Sequence, residues 1–264
     1  MRVCVLGSGS KGNCTYIECG DTGILIDAGL SCAQIEKRLK AINVNPYSIK
    51  AVLITHEHSD HIAGAPAFAL KFGARVYTHK DTWNAMNSKF ANLAYSQMID
   101  ICTPNFEINN INISCFDLSH DAAHCLGYTL AYRNNKISLA TDLGFMTDNI
   151  LSNLIGSDIV VLEANHDVNK LINNPNYPLY LKNRILSRQG HLNNNDTANT
   201  IVQMLGYNVR GVILAHLSEQ NNSPVLATNT VHSALSKAGA TVNKDIIVDV
   251  AHQEKVGNIF KIKE

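Results

Sequence analysis

Short apolar runs rich in β-branched residues alternate along the chain with segments whose apolar residues recur every three to four positions. The short runs predict strands, because strands are brief and favour β-branched residues. The predicted strands are RVCVLG, TYIEC, GILIDAG, KAVLITH, ARVYTH, NINISCFDLSH, SDIVVLEAN, GVILAHLS, DIIVDVA and GNIFKI. A further segment, YTLAYRNNKISLAT, predicts a hairpin that turns at Asn134 and Asn135.

Segments with helical periodicity separate many of these strands. In SCAQIEKRLKAI, Ser31 precedes the apolar pattern and is suited to cap a helix. A second helix is predicted from about Asp60 to Phe72, and a less regular one around Trp83. The remaining predicted helices are DNILSNLI, residues 179–189, residues 196–205 and NTVHSALSKAG. Strands mixed with helices in this way indicate a layered α/β fold.

The composition favours one compact domain over residues 1–264, since 45% of the residues are hydrophobic and 17% are charged. Lys plus Arg and Asp plus Glu both total 22, so net charge does not point to nucleic acid or membranes. Any polyanion site would therefore be local. The seven cysteines form no CxxC pair, which indicates reduced thiols.

The sequence also bears on location. MRVCVLGSGS at the amino end reads as a strand and lacks the pattern of a signal peptide. No apolar run approaches the ~20 residues needed to cross a bilayer. We therefore expect a cytoplasmic protein without a membrane partner.

Polar residues able to take part in catalysis or metal binding follow several predicted strands at their carboxyl ends. In layered α/β proteins, functional sites are usually built from these ends and the loops after them. The residues in this position are Asp27, His56, His120, Asp142, Glu163 and His216.

The segment THEHSDH, residues 55–61, places four potential metal ligands within six positions. Histidine and carboxylate side chains crowded in this way are costly to bury unless a metal ion binds them. His56 and His58 can reach one ion if the chain bends after the strand, and Asp60 and His61 then point toward a second. A lone histidine at a strand end would more often be structural, but four ligands together predict a metal site.

The ordered set of motifs resembles that of the metallo-β-lactamase fold hydrolases. The matching positions are Asp27, His56-x-His58-x-Asp60-His61, His120, Asp142 and His216. The resemblance covers nearly the whole chain and implies a four-layer αββα sandwich with two mixed β-sheets and the metals at one edge. The ligands that it implies are His56, His58 and His120 for one ion, Asp60, His61 and His216 for a second, and Asp142 as the bridge. It also implies that Asp27 orients the histidine loop from behind.

A site of this kind implies hydrolysis that depends on two divalent ions. A water bridging the ions is acidified and becomes a hydroxide nucleophile, while the ions stabilise the charge that develops on the attacked centre. Zinc suits histidine and aspartate ligands, and manganese is also compatible, so both metals stay open.

Two further segments favour a phosphodiesterase. VVLEANHD and QGHLNNND resemble motifs of the phosphodiesterase branch that includes the tRNA 3′-processing ribonuclease. In that branch a glutamate, here Glu163, orients a histidine, here His191, that donates a proton to the leaving oxygen. The resemblance implies that the catalytic residues are Asp60, together with Glu163 and His191. The alternative is that Glu163 caps a helix and His191 lies on the surface.

Within this branch the chain is most similar to the WalJ/YycJ-type exonuclease-like proteins. GSGSKGNCTYIECG, EANHD and GHLNN match the motifs of that group. The chain departs from its pattern in GHLNN, where the group has GHLSN, and in HDAAH, where the group has proline after HDA. The resemblance implies a nuclease of 5′-3′ exonuclease type acting on DNA or RNA.

Several residues are candidates for contacts with a nucleic acid. GSGSKGN mimics a dinucleotide-binding glycine motif, but a strand follows it where such a motif needs a helix, so its polar residues form either a phosphate-binding rim or a tight turn. Residues 168–195 contain basic residues and tyrosines but no acid, and this segment is either a path for the substrate or a solvated surface. The candidate substrate-binding residues are Ser10, Lys11, Asn13, Asn165, Lys182, Arg184 and Arg188.

Other readings stay open. A thioester or lactone hydrolase of the glyoxalase type would use the same ions without needing the pair of Glu163 and His191. The β-CASP insertion of larger relatives is absent, since only residues 143–215 separate Asp142 from His216. We expect a single domain that acts without a lid, with a homodimer that buries a sheet edge as one option for its assembly.

Overall fold

The computed structural model describes residues 1–262, and within them fourteen strands form two seven-stranded β-sheets. The first sheet has the spatial order β14-β1-β2-β3-β4-β5-β6, and the second has the order β13-β12-β11-β10-β9-β8-β7. The strands are β1 (Arg2–Gly7), β2 (Cys14–Cys19), β3 (Thr22–Ile26), β4 (Ile49–Leu53), β5 (Arg75–Thr78), β6 (Met98–Asp100), β7 (Asn105–Ile108), β8 (Ile111–Leu118), β9 (Cys125–Tyr132), β10 (Asn135–Ala140), β11 (Ile159–Glu163), β12 (Gly211–Ala215), β13 (Ile247–Val250) and β14 (Phe260–Lys261).

Both sheets are mixed. In the first sheet, β14, β1, β2 and β3 pair in antiparallel fashion, and β3 to β6 are parallel. In the second, β7 to β10 are antiparallel, and β10 to β13 are parallel. Five of the six polar residues singled out above end or follow the parallel strands β3, β4, β10, β11 and β12, and His120 follows the antiparallel strand β8. Two mixed sheets therefore confirm the predicted sheet arrangement.

Helices cover the outer faces of the sheets. They are α1 (Cys32–Ala41), α2 (Ser59–Ile62), α3 (Ala65–Phe72), α4 (Lys80–Met86), α5 (Asp148–Leu154), α6 (Val168–Asn173), α7 (Leu179–Leu186), α8 (Asn194–Met204) and α9 (Pro224–Lys237). Short 3-10 helices lie at Pro46–Ser48, Asn87–Phe90 and Tyr95–Gln97. Ser31 caps α1 as the sequence predicts, because its hydroxyl accepts a hydrogen bond from the backbone N–H of Gln34.

The apolar core has three parts, which correspond to the spaces between four layers. Along β3, Ile24 and Ile26 face the space between the two sheets, whereas Leu25 faces the helices outside. This division follows from the alternation of side chains along a strand. Phe68 of α3 packs in the outer core of the first sheet, and Ile201 of α8 packs in that of the second. The molecule is thus an αββα sandwich, as the sequence predicts.

The predicted helix from Asp60 to Phe72 is wrong in one respect, because the chain forms two helices there. α2 ends at Ile62, and α3 begins at Ala65 after Gly64. A Cβ at Gly64 would lie 1.9 Å from the backbone oxygen of Leu30, so the chain approaches its neighbour too closely for any side chain at that point. Pro66, in the first turn of α3, suits a helix start.

The predicted hairpin is correct, but its turn lies one residue earlier than expected. Asn135 is already part of β10 and pairs with Tyr132, so Arg133 and Asn134 form the turn. Arg133 has φ of 54°, a left-handed conformation that its residue type does not predict. The sequence analysis did not predict the short strands β6 and β7 or the short helix α6.

Candidate metal centre and active-site cleft

The candidate residues meet at one edge of the sandwich, where strands of both sheets end. Asp27 follows β3, Asp142 follows β10 and His216 follows β12, and all three have positive φ, of 59°, 65° and 55°. This left-handed conformation is uncommon outside glycine, and residues held in sparsely populated backbone conformations cluster at functional sites. The chain therefore turns sharply as it leaves each strand, which directs these side chains toward a common centre.

One group of ligand atoms comes from His56, His58 and His120, and these atoms lie within 4.8 Å of one another. His56 and His58 belong to the loop between β4 and α2, and His120 follows β8. The ring centroids of His56 and His120 are 5.1 Å apart, and those of His58 and His120 are 5.2 Å apart. Two loops far apart in sequence thus supply one compact set of imidazoles.

A second group consists of Asp60, His61 and His216, again with ligand atoms within 4.8 Å. Asp142 lies between this group and the first. Its Oδ2 is 3.2 Å from His61 Nε2, and it also groups with His56 and His61. The arrangement offers three ligands on each side of a shared carboxylate.

The residues present fit divalent cations. His56 Nε2 and Asp142 Oδ2 are buried and have no hydrogen-bond partner among the described residues, which is costly unless another group satisfies them. Burial, together with the neighbouring His61, holds the pKa of His56 well below its usual value, so its ring is neutral and keeps a free lone pair. Imidazole nitrogens and carboxylate oxygens are ligands for zinc, and manganese accepts them as well.

The acidic side chains and the histidines of this centre stabilise each other's charged forms. Burial alone would raise the pKa of Asp142, but His216 and His61 hold it well below its usual range. Burial alone would lower the pKa of His61, but Asp27 and Asp142 raise it well above its usual value. Without a cation, protons on the histidines balance the acids. A cation at these atoms would displace those protons, so its binding is coupled to pH.

Asp27 lies behind the histidine loop and is almost completely buried. Its Oδ2 is 2.7 Å from His61 Nδ1, and its Oδ1 accepts a hydrogen bond of 2.8 Å from the backbone N–H of Thr55. The Thr55 hydroxyl also lies 2.9 Å from His56 Nδ1. Asp27 and Thr55 therefore fix the orientation of two histidines through their Nδ1 atoms and leave the Nε2 atoms for the centre.

Glu163 connects the centre to His191. Its Oε1 lies 2.9 Å from His191 Nδ1 and also 2.9 Å from Nδ1 of His216. Its Oε2 accepts hydrogen bonds from the backbone N–H groups of Leu143 and Leu192, at 3.1 and 3.0 Å. The structure thus brings together Glu163 and His191, which the sequence pairs by resemblance. The sequence analysis did not predict the second hydrogen bond, between Glu163 and His216, because no local sequence pattern indicates it.

A cleft of about 260 Å³ opens above these residues. Of the candidate substrate-binding residues, Ser10, Asn165 and Arg184 line it. Asn13 lies beneath, with its amide nitrogen 3.1 Å from His61 Nε2. His191 lines the cleft with a partly exposed side chain, so it is accessible to a substrate.

Three other candidate substrate-binding residues have partners elsewhere. Lys11 forms ion pairs with Glu219 and Glu254. Lys182 donates a hydrogen bond to the backbone oxygen of Ile172, and the Arg188 guanidinium stacks 3.7 Å from the ring centroid of Phe145.

Asp121, which the sequence analysis did not select, holds Arg184 at the cleft. Its Oδ2 forms an ion pair with Arg184 Nε, and its Oδ1 is 3.3 Å from His120 Nε2. The signal that was available is its position directly after a predicted ligand. Asp121 therefore links the cationic wall of the cleft to the first group of histidines.

The sequence of the chain is similar to those of known proteins. Residues 7–158 match the family described as the Metallo-beta-lactamase superfamily. The chain belongs to the metallo-β-lactamase superfamily. It is 38% identical over 255 residues to the protein named Exodeoxyribonuclease WalJ of Streptococcus pneumoniae, covering 94% of this chain and 93% of the relative. It is 35% identical over 245 residues to Exodeoxyribonuclease YycJ of Bacillus anthracis, covering 92% of each.

A solved structure supports the same fold. YhfI of Bacillus subtilis, described as a metallo-beta-lactamase fold protein, superposes with a TM-score of 0.70 at 17% identity and covers 98% of both chains. The predicted superfamily, the similarity to WalJ/YycJ-type proteins and the fold are confirmed. The protein is a hydrolase of this superfamily, whose fold implies divalent metals. None of the helices in residues 1–262 is long and apolar enough to span a bilayer.

Proposed function

We propose that this protein is a two-metal phosphodiesterase that degrades nucleic acid from an end, in the 5′ to 3′ direction. The observation that carries the proposal is the bond from Glu163 to His191 beside the double ligand set. Hydrolysis of a thioester or lactone has no need of a proton donor held by a buried carboxylate. The names of the two relatives, both exodeoxyribonucleases, favour DNA as the substrate.

The proposed roles follow the geometry of the two groups. The ligands of one ion are His56, His58 and His120, those of the other are Asp60, His61 and His216, and Asp142 is shared. When bound, the two ions supply an acidified water as nucleophile and stabilise negative charge on the phosphate. Asp27 orients the histidine loop. We also propose that residues 1–264 act as one domain without a lid, in the cytoplasm.

His191 is the proposed general acid. Its Nδ1–H is directed at Glu163, so in the imidazolium form its Nε2–H is the group that gives a proton to the leaving oxygen in the cleft. The ring is then left neutral, with its Nδ1–H still bonded to Glu163. Arg184, held by Asp121 through its Nε, is suited to bind a neighbouring phosphate because its side chain is half exposed. Ser10 and Asn165 add hydrogen-bonding groups to the same wall.

The test is cleavage of end-labelled single-stranded DNA, RNA and duplex DNA with a 5′-phosphate, in manganese or zinc. His58→Ala is the control for contaminating nucleases, since it removes one ligand of the first group. We expect stepwise shortening from the 5′ end by the wild type alone. No cleavage with either metal, together with turnover of thioester or lactone substrates, would show that the protein is a small-molecule hydrolase and not a nuclease.

A further inference from the structure

A further cavity adjoins the active-site cleft beside the loop that follows β12. Its volume is about 420 Å³, and it shares Ser10, Leu217 and Ser218 with the cleft. Leu217 and Ser218 directly follow the proposed ligand His216. A chemical group that enters this cavity therefore lies next to the candidate metal centre and can belong to the same substrate.

The walls of this cavity are held together by hydrogen bonds between distant parts of the chain. Three segments supply the walls, and these are residues 8–10, 217–224 and 251–255. The backbone N–H of Ser8 donates to the backbone oxygen of His252 at 3.1 Å, and the Ser8 hydroxyl accepts a bond of 2.7 Å from the backbone N–H of His216. Gln253 Oε1 accepts a bond of 2.8 Å from the backbone N–H of Lys11. The cavity is therefore formed before a substrate binds.

Most of the surface that lines this cavity is apolar. Leu217, Pro224 and Ala251 contribute to it, and so does His252, an aromatic residue that is partly exposed. Sites for small molecules have volumes of about 300–1,000 Å³ and are lined mainly by apolar and aromatic side chains. The size and the lining thus suit a small aromatic ring system.

Two serines add hydrogen-bonding groups to this lining. Ser218 accepts a hydrogen bond from the backbone N–H of Asn221, and Ser223 accepts one from the backbone N–H of Leu226, both at 3.2 Å. A hydroxyl can donate one hydrogen bond as well as accept two, so each serine still has a proton to donate. The ring nitrogens and carbonyl oxygens of nucleobases are acceptors for such donors.

The charges around the cavity favour an uncharged ligand over a phosphate. Glu219 and Glu254 are among the lining residues, and both are exposed. Lys11 forms ion pairs with them, at 3.0 and 3.7 Å, which reduces their repulsion of a nucleic acid strand. Carboxylates still disfavour a phosphate inside the cavity, whereas Arg184 suits a phosphate in the cleft. The cavity therefore matches the base of a nucleotide and the cleft matches its backbone.

We propose that this cavity binds the nucleobase of a nucleotide next to the cleaved phosphate and that the base stacks on His252. The inference rests on the proposed nuclease function and adds a base-binding subsite to it. Stacking tolerates any base, because every base has a π face, and imidazole rings are among the groups on which bases stack. The subsite thus favours a complete nucleotide over a bare sugar without selecting a sequence.

The test removes the base from the substrate. Full-length protein with manganese is given end-labelled single-stranded DNA with a 5′-phosphate, or the same DNA in which the first or the second nucleotide is a tetrahydrofuran abasic sugar. The measured quantity is kcat/KM for release of the first product. We expect the abasic sugar to lower kcat/KM about 5–100-fold at one of the two positions, which is the range for loss of one stacked base.

Variants of His252 assign this preference to the cavity. His252→Ala removes the ring, so it should cut intact DNA more slowly and lose most of the preference, while its rate on the abasic DNA stays that of the wild type. His252→Phe keeps an aromatic ring and should keep the preference. His232→Ala, on α9 and outside the cavity lining, is the matched control and should behave as the wild type.

The possible failures of the two proposals are distinguishable. Equal kcat/KM for intact DNA and both abasic DNAs in the wild type would overturn the base-binding subsite and leave the proposed nuclease function in place. The same preference in the wild type and in His252→Ala would place the base elsewhere and would also overturn the subsite. No cleavage of intact DNA by the wild type would contradict the proposed function itself, and with it the subsite.

Discussion

One carboxylate oxygen of Glu163 forms hydrogen bonds with two histidines, so the role of Glu163 differs from that of His191. Its Oε1 contacts both His191 and the proposed ligand His216. His191→Ala removes the proposed proton donor and leaves every proposed ligand in place. We therefore expect it to retain both ions and to lose about 10²–10⁴ in rate. Bound metal and turnover, measured on the same preparation, check this result. Full activity in His191→Ala would show that another group supplies the proton.

Glu163→Gln is predicted to have a broader effect than His191→Ala. The amide has no charge and cannot serve both histidines equally, so we expect a similar loss of rate together with metal affinity about 10–100-fold weaker. Metal titration separates the two variants. If Glu163→Gln binds metal as the wild type does, the bond to His216 has no part in holding that ligand.

His166 is a buried histidine outside the ligand groups. It is 1% exposed, and neither of its ring nitrogens has a hydrogen-bond partner among the described residues. Burial lowers the pKa of His166 to about 4 from a usual value of 6.5. The folded state therefore resists protonation more than the unfolded state. Its neutral form is compatible with full stability above pH 6.5, and stability is lost as the pH falls from 6.5 toward 4.

His166→Leu removes this titration. A shift of this size corresponds to about 3 kcal/mol across the interval. We expect the free energy of unfolding to fall less between pH 7 and pH 4 in His166→Leu than in the wild type, by an amount of this order. Urea unfolding at several pH values measures both curves. Parallel curves would mean that His166 is partnered in solution. At pH 7 the variant should be close to the wild type, since no hydrogen bond is lost.

At the scale of elements, α7 and the residues after it place two arginines in different environments. Arg184 lines the cleft beside Asp121, whereas Arg188 stacks on Phe145. We expect Arg184→Ala to weaken binding of single-stranded DNA and to reduce the slope of log affinity against log salt by about 0.7, the value for one phosphate contact. Arg188→Ala is the matched control and should leave both unchanged. Binding titrations at several salt concentrations test the pair, and equal effects would contradict the assigned environments.

The elements were predicted well where a long apolar run decided the structure. β11 and β12 are buried along their whole length, and apart from Glu163 at the end of β11 their sequences are continuous apolar runs. The division between α2 and α3 could not be predicted, because it depends on the approach of Gly64 to the backbone of Leu30. The periodicity of apolar residues shows which face of a helix is apolar, but it gives no information on a close contact between two backbone segments.

At the scale of the whole molecule, the grouping of the proposed ligands could be predicted because they belong to recognisable motifs, most of them shortly after a strand. The fold then brings these segments to one edge. The bonds that refine the site could not be predicted in the same way. The ion pair of Asp121 with Arg184 and the bond of Glu163 to His216 each join residues from separate segments. The distances between the residues of each pair depend on tertiary packing, so no pattern within a single sequence predicts them.

The pairing of β14 with β1 has a consequence for how the protein is made. Arg2 pairs with Lys261 and Val3 with Phe260, so the first strand is completed by the last strand of the described chain. Synthesis on the ribosome proceeds from the amino end, and β1 therefore keeps one edge unpaired until Phe260 and Lys261 have emerged. A growing chain that has not reached these residues exposes that strand edge, so the pairing of β14 with β1 is a late step of folding during synthesis.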